Sequence, residues 1–173
     1  MRDQLQDTYG LRVALVGTGQ TAAFQGIKPC VCLDALPMDF AVGELQKAIW
    51  TACGESPDLV VVEGQGSLLN PAYGCETLAI IQASRPVGFV YVTVPERQYY
   101  ADFPSVPIAD MACEIQLIID ISRSTLMGIC VSSLDMSYDC AHIERDFVSV
   151  PVVHGLGDRF SRIVDNIFEI IRS

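Results

Sequence analysis

The fold is decided by the stretch Leu59-Val60-Val61-Val62-Glu63-Gly64-Gln65-Gly66-Ser67. Its first four residues are apolar without polar alternation, which predicts a strand covered on both faces, as in a parallel sheet. An acid directly after such a strand lies at the carboxyl edge of the sheet, where open α/β sheets bind ligands. The glycines allow a ligand to approach the backbone closely. The stretch therefore predicts a parallel α/β sheet with a site beyond this strand.

The remainder of the chain alternates predicted strands and helices. Apolar runs predict further strands at residues 12–16, 88–94, 126–132 and 148–153. Helices are predicted at residues 2–9, 39–52, 75–83, 108–121, 137–147 and 159–171, with Asp39 as an N-cap. Residues 95–107, rich in proline and aromatic side chains, predict a long functional loop. This order predicts one domain over residues 1–173, with three layers and a mostly parallel sheet of about five strands between flanking helices.

Composition narrows the classes of partner. Half of the 173 residues are hydrophobic and 18% are charged, which is typical of a globular domain. The formal net charge is −10, and the 11 basic residues are scattered singly, so nucleic acid and anionic membranes are not expected as partners. There is no long apolar run and no secretory signal at the N-terminus, and the seven cysteines have irregular spacing. These features predict a cytoplasmic protein with reduced thiols.

A glycine turn follows the first predicted strand. Gly17-Thr18-Gly19-Gln20-Thr21-Ala22 fits the G-x-G-x-x-A pattern of dinucleotide sites. Gly26 and Pro29 interrupt the helix that such a site needs, so no NAD is expected. The turn instead predicts a lining for another polar ligand, with a purely structural turn as the alternative. The lysine-containing P-loop pattern is absent from the sequence, which argues against autonomous ATP hydrolysis.

Charged residues at predicted strand ends are the candidates for chemistry. Asp34, Asp39 and Glu63 could share a divalent cation such as Mg²⁺ through oxygen ligands, or one could act as a general base. Their structural alternatives are a turn residue, a helix cap and a paired acid, respectively. Arg97 follows the predicted strand at 88–94 and suits a substrate carboxylate or phosphate, with a solvated loop arginine as the alternative.

Three segments together resemble one family. They are Gly17-Thr18-Gly19-Gln20-Thr21, the run from Asp34 through Asp39-Phe40 to Gly43, and Val62-Glu63-Gly64-Gln65-Gly66-Ser67 continuing to Pro71-Ala72-Tyr73. The combination resembles the D-glutamate N-acetyltransferase family, long catalogued as a domain of unknown function. The resemblance implies a P-loop NTPase-like fold, similar to dethiobiotin synthetase. It also implies acetyl transfer from acetyl-CoA, as cosubstrate, to the amine of D-glutamate or a similar small acidic amino acid.

The resemblance also implies roles for residues. Glu63 and Asp39 would be catalytic in such an enzyme, and the metal ligands predicted above from the strand ends are Asp34, Asp39 and Glu63. The ligand would be bound by Gly17, Thr18, Gly19, Gln20, Thr21, Gly64, Gln65, Gly66, Ser67, Asn70, Tyr73 and Arg97. Members of the family carry a glycine-rich P-loop upstream of the first segment, and the present chain begins at about the end of the helix that follows it. Asn70 stands where the family usually has histidine, and a histidine near residues 91–94 is also missing.

Three functions follow as expectations. The first is an N-acetyltransferase-like enzyme. The second is an ATP- and Mg-dependent ligase-like enzyme of the wider P-loop fold group. The third is a non-catalytic binding or partner subunit, since an exposed sheet edge near residues 1–16 would favour a homo-oligomer or a partner chain.

Overall fold

The computed structural model describes residues 1–133, 135, 137–155 and 160–172. It shows an α/β protein in which all five predicted strands are present and pair in parallel. The chain divides into two compact units, Arg2–Pro86 and Val87–Ser173, which we call the N-terminal and C-terminal units. Each unit has its own parallel strands and its own flanking helices.

The N-terminal unit is built on a pair of parallel strands. Its elements are α1 (Arg2–Tyr9), β1 (Val13–Val16), α2 (Gln20–Phe24), a 3₁₀ turn (Leu33–Ala35), α3 (Met38–Cys53), β2 (Leu59–Val62) and α4 (Gly74–Ser84). Strand β1 pairs with β2 in register from Val13 opposite Leu59 to Val16 opposite Val62. Because the strands run in parallel, the turns that follow Val16 and Val62 lie at the same edge.

The core of this unit lies between the strand pair and helices α3 and α4. Helix α3 buries Ala41, Leu45, Ala48 and Ala52, which recur at helical spacing along one face. These side chains form one cluster with Val16 and with Ala79 of α4. Val60 and Val62 of β2 pack against this cluster, and all four residues of the strand are partly buried. The predicted cover on both faces of the strand stays a prediction.

The C-terminal unit holds the other three parallel strands. Its elements are β3 (Gly88–Thr93), β4 (Tyr99–Tyr100), β5 (Phe103–Pro107), α5 (Met111–Ser122), β6 (Thr125–Val131), α6 (Ala141–Asp146), β7 (Val152–His154) and α7 (Ser161–Arg172). The parallel sheet has the order β3-β6-β7, and β4 pairs with β5 as a short antiparallel hairpin.

Helices cover both faces of this three-stranded sheet. Ile129 and Val131 of β6 share a buried cluster with Ile115 of α5. Gly128 faces the other way, and a Cβ there would lie 2.7 Å from Ile163 of α7. Side chains alternate across a strand, so α5 and α7 lie on opposite faces. This unit therefore shows the predicted three layers, helix, sheet and helix.

Several boundaries differ from the sequence-based predictions. The segment at 95–107, predicted as a loop, contains the β4–β5 hairpin. Its prolines argue against a strand in the sequence, but edge strands such as these tolerate proline. The predicted helix at 137–147 is reduced to α6, and the last strand begins at Val152 instead of residue 148. Helix α3 begins at Met38 with Pro37 as its N-cap, so Asp39 lies in the first turn and is not the cap.

All seven cysteines are free in the structure. No helix among the described residues combines the length and the apolar character that a membrane span requires.

Candidate functional site

The candidate site is built on the turns that follow β1 and β2. The carboxylate of Glu63, directly after β2, accepts hydrogen bonds through Oε2 from the backbone N–H groups of Thr18 (2.8 Å) and Gly19 (3.1 Å). The hydroxyl of Thr18 donates to the Glu63 backbone oxygen at 3.0 Å, and Thr18 is fully buried. Glu63 therefore joins the two turns, which gives this strand-ending acid the partners that its partial burial requires.

Close packing fixes the shape of these turns. Gln65 donates from Nε2 to the Thr18 hydroxyl at 2.8 Å. A Cβ at Gly19 would lie 2.7 Å from Gln65 Nε2, and one at Gly17 would lie 2.7 Å from the Cβ of Ala22. At Gly17 a side chain would have to displace a neighbouring Cβ, whereas at Gly19 it would displace only the end of the flexible Gln65 side chain. Gly17 is thus explained by close approach within the protein, whatever ligand the turns bind.

A cavity of about 430 Å³ opens beside the joined turns. This volume lies in the range of small-molecule sites. Its lining consists of Gly19, Gln20, Thr21, Asp34, Glu63, Gly64, Gln65, Tyr73 and Glu76. All of these except Glu76 are among the residues that the sequence singles out. We refer to this cavity as the acidic pocket, because its lining includes three carboxylates and no lysine or arginine.

Two of the carboxylates have contrasting surroundings. Asp34, which is exposed, accepts a hydrogen bond from Nε2 of Gln20 at 2.6 Å. Glu76, in the first turn of α4, is only 6% exposed. Burial raises the pKa of Glu76, and the nearby charge of Asp34 raises it further.

Sequence reasoning missed Glu76. An acid in the first turn of a helix normally interacts with the helix dipole at the surface, so it attracts no notice. A signal was present, because Glu76 precedes Ala79 by three residues and Ala83 by seven, and both alanines pack in the core. That spacing places Glu76 on the apolar face of α4.

The part of the third segment that follows Gln65 forms the turn that leads into α4. Asn70 accepts through Oδ1 from the backbone N–H groups of Ala72 (2.8 Å) and Tyr73 (3.3 Å). Ser67 Oγ accepts from the N–H of Leu69, and the carbonyl of Gly66 accepts from the Thr77 hydroxyl. These contacts orient Tyr73 and α4 beside the acidic pocket, whereas Gly66, Ser67 and Asn70 are not among its lining residues.

Two predicted residues lie elsewhere. Asp39 is exposed in the first turn of α3 and is not among the residues that line the pocket. Arg97 belongs to the C-terminal unit, in the turn between β3 and β4, where its backbone N–H donates to the carbonyl of Val94.

Within the described residues, no group of three or more His, Cys, Asp or Glu side chains is placed to hold a metal ion. The magnesium site thus stays a prediction, and the structure brings together only Asp34 and Glu63 of its three ligands.

Comparison with protein families decides where the chain belongs. The family model described as "Domain of unknown function (DUF1611_C) P-loop domain" matches residues 1–164. The chain belongs to the DUF1611 family. Its α/β architecture with a parallel sheet and flanking helices is thus that of the DUF1611 P-loop domain.

A solved structure supports the same assignment. The DUF1611 domain is similar to a DUF1611 family protein from Anabaena variabilis ATCC 29413, known from a crystal structure at 2.30 Å resolution. The TM-score is 0.79 at 25% sequence identity, over 95% of this chain and 50% of that one. The chain therefore spans half the length of that relative. No curated protein matches the sequence.

Proposed function

We propose that this DUF1611 domain binds a small molecule through its amine and takes part in transferring an acetyl group from acetyl-CoA to that amine. The observation that carries the proposal is the acidic pocket at the ends of β1 and β2. Three carboxylates with no basic residue in the lining favour a cationic ligand group over an anionic one. The pocket lies at the strand edge where α/β folds bind ligands.

The transfer chemistry needs a proton acceptor beside the amine. The neutral amine nitrogen attacks the thioester carbonyl, the N–C bond forms, and the C–S bond breaks to release the CoA thiol. The nitrogen loses one proton as the neutral amine forms from its ammonium ion and another as the amide forms. A carboxylate in the pocket can receive a proton by general base catalysis, which is worth about 10²–10⁴ in rate. Glu63 and Asp39 remain the predicted catalytic residues, but only Glu63 lines the pocket, where it also holds the turns together.

We propose D-glutamate, or a similar small acidic amino acid, as the amine that accepts the acetyl group. D-glutamate carries two carboxylates, and the described lining of the acidic pocket supplies no cation for either. Its amine fits the pocket, whereas its carboxylates need groups outside this lining. A test must therefore separate binding of the amine from binding of the carboxylates.

The experiment incubates the purified chain with acetyl-CoA and one acceptor at a time. The acceptors are D-glutamate, L-glutamate and n-butylamine, and the N-acetyl product is measured by mass spectrometry, because seven free thiols would disturb a thiol-reagent assay. We expect product from D-glutamate above a protein-free control, and less from Asp34→Asn than from Glu55→Gln, whose side chain is exposed outside the pocket. A folded chain that forms no product with any acceptor contradicts the proposal.

A ligase-like function is the second candidate, and the family description as a P-loop domain favours it. Titration of the chain with MgATP by calorimetry tests this alternative. Binding tighter than about millimolar, with no acetyl transfer, supports the ligase-like function over the transferase.

A non-catalytic partner subunit is the third candidate. A monodisperse dimer or higher oligomer by light scattering, with neither activity, supports it.

A further inference from the structure

Glu76 is a buried acid that lacks a hydrogen-bond or ion-pair partner among the described residues. It is 6% exposed, and among the described residues its carboxylate makes neither a hydrogen bond nor an ion pair. Glu114, the other buried acid among the described residues, accepts a hydrogen bond from the Tyr91 hydroxyl at 2.6 Å. Acids at this depth are rarely left unpaired, because the lost hydration of the charge is then uncompensated. Glu76 is an exception to this rule, and a cationic ligand would supply the missing partner.

The Glu76 carboxylate faces the acidic pocket. Among the described residues, no fully buried side-chain oxygen or nitrogen lacks a hydrogen-bond partner. Because the Glu76 carboxylate has no such partner, its oxygens are not fully buried, and the residue lines the acidic pocket. Burial and the charge of Asp34 both raise the pKa of Glu76, so a cation in the pocket would relieve both effects at once.

The arrangement favours an organic ammonium group over a metal ion. The described residues hold no cluster of three or more side chains placed for metal coordination, so the pocket carboxylates do not converge on one small ion. An ammonium group has three N–H donors and binds acceptors that are spread more widely. The cavity of about 430 Å³ also has room for the carbon skeleton of a small amine.

We propose that Glu76 is the residue that binds the ammonium group of the ligand in the acidic pocket, with Asp34 as its neighbouring carboxylate. The assignment rests on the proposed function for the class of ligand, an amine. It differs from the roles implied by the family resemblance, which place the chemistry on Glu63 and Asp39. Gln20 donates to Asp34, so that carboxylate is already oriented when the amine arrives.

The test uses a probe that has an amine and no carboxylate. The affinity of n-butylammonium is measured by NMR titration for the wild-type chain, for Glu76→Gln and for Glu55→Gln, with 1-butanol as the neutral comparison. We expect Glu76→Gln to weaken binding of n-butylammonium about tenfold or more, as for a lost charge-assisted hydrogen bond. Glu55→Gln should bind the amine as the wild type does, and the weak affinity for 1-butanol should be the same in all three proteins.

A pH series adds a readout that a merely structural role would not change. As pH rises through the raised pKa of Glu76, this carboxyl ionises and wild-type affinity for the amine should increase. The other titratable groups that line the pocket, Asp34, Glu63 and Tyr73, are present in both proteins. The step assigned to Glu76 should therefore be missing in Glu76→Gln. Equal affinities and equal pH profiles for the two proteins would overturn the assignment.

The outcome is separable from that of the proposed function. If n-butylammonium binding depends on Glu76 but no N-acetyl product forms from any amine, the ammonium site stands and the acetyl transfer fails. If Glu76→Gln forms N-acetyl product with the KM and kcat of the wild type, the acetyl transfer stands and the ammonium site is overturned. Circular dichroism of each variant verifies that the fold is retained.

Discussion

Two glutamates of the acidic pocket differ in their hydrogen-bond partners. Glu63 has two backbone N–H partners, whereas Glu76 has none among the described residues. The partners of Glu63 hold the two turns together, whereas a buried acid without a partner raises the free energy of the unliganded fold. The sequence predicts Glu63 as a site residue from its position directly after a strand, but it does not predict Glu76.

Glu76→Gln should stabilise the protein when no ligand is bound. Because burial raises the folded-state pKa of Glu76, its protonated form is favoured in the fold. The destabilisation is absent below the unfolded-state pKa, about 4.3, and it grows as pH rises through the raised folded-state pKa. Urea unfolding followed by circular dichroism should show a larger free energy of unfolding for the variant at pH 7, and little difference near pH 4.

The matched control for that measurement is Glu55→Gln, which removes an exposed carboxylate in the turn after α3. It should leave the free energy of unfolding at both pH values within about 0.5 kcal/mol of the wild type. A Glu76→Gln chain that is less stable than the wild type at pH 7 would mean that the carboxylate has a stabilising protein partner.

Glu63→Ala should destabilise the N-terminal unit. The substitution removes the acceptor of the Thr18 and Gly19 N–H groups, and Thr18 is fully buried. A buried donor without a partner costs about 1–3 kcal/mol. We expect the midpoint of urea unfolding to fall accordingly, with Glu55→Ala as the control. Amide exchange of Thr18 as slow as in the wild type would contradict the role given to Glu63.

At the scale of elements, α5 offers a clean test of helix capping in the C-terminal unit. Asp110 precedes the helix, and its Oδ1 accepts from the N–H of Cys113 at 3.0 Å. Asp110→Ala should lower the free energy of unfolding by about 1 kcal/mol, as measured by urea unfolding. Asp110→Asn keeps the acceptor and should lose far less. Equal losses in the two variants would show that the charge, and not the cap, matters.

Elements with strong periodicity were predictable, and the hairpin was not. Helix α3 shows its buried positions in the sequence at a regular spacing, because that pattern depends on the helix alone. The β4–β5 pairing joins Tyr99 to Pro107 across a turn in a proline-rich segment. Its short edge strands carry no alternating pattern, so local sequence indicates a loop.

At the scale of the whole molecule, charge restricts the partners. The formal net charge of −10 and the absence of a basic cluster predict that the chain does not bind nucleic acid. Fluorescence anisotropy with labelled duplex and single-stranded DNA at low salt, where attraction to phosphates is strongest, should show no saturable binding. Binding that weakens as salt rises would contradict this expectation and reveal a local basic surface.

The sequence by itself determined the class of fold and the edge at which the candidate site lies. Apolar runs and helical spacing are local properties, and a polar motif directly after a buried parallel strand is carried to that edge by the strand. Only the tertiary structure decided which acids meet there. Glu63 reaches a turn 45 residues away, and Glu76 enters the pocket because the core fixes the rotation of α4. Such contacts depend on packing between distant segments, which no local pattern encodes.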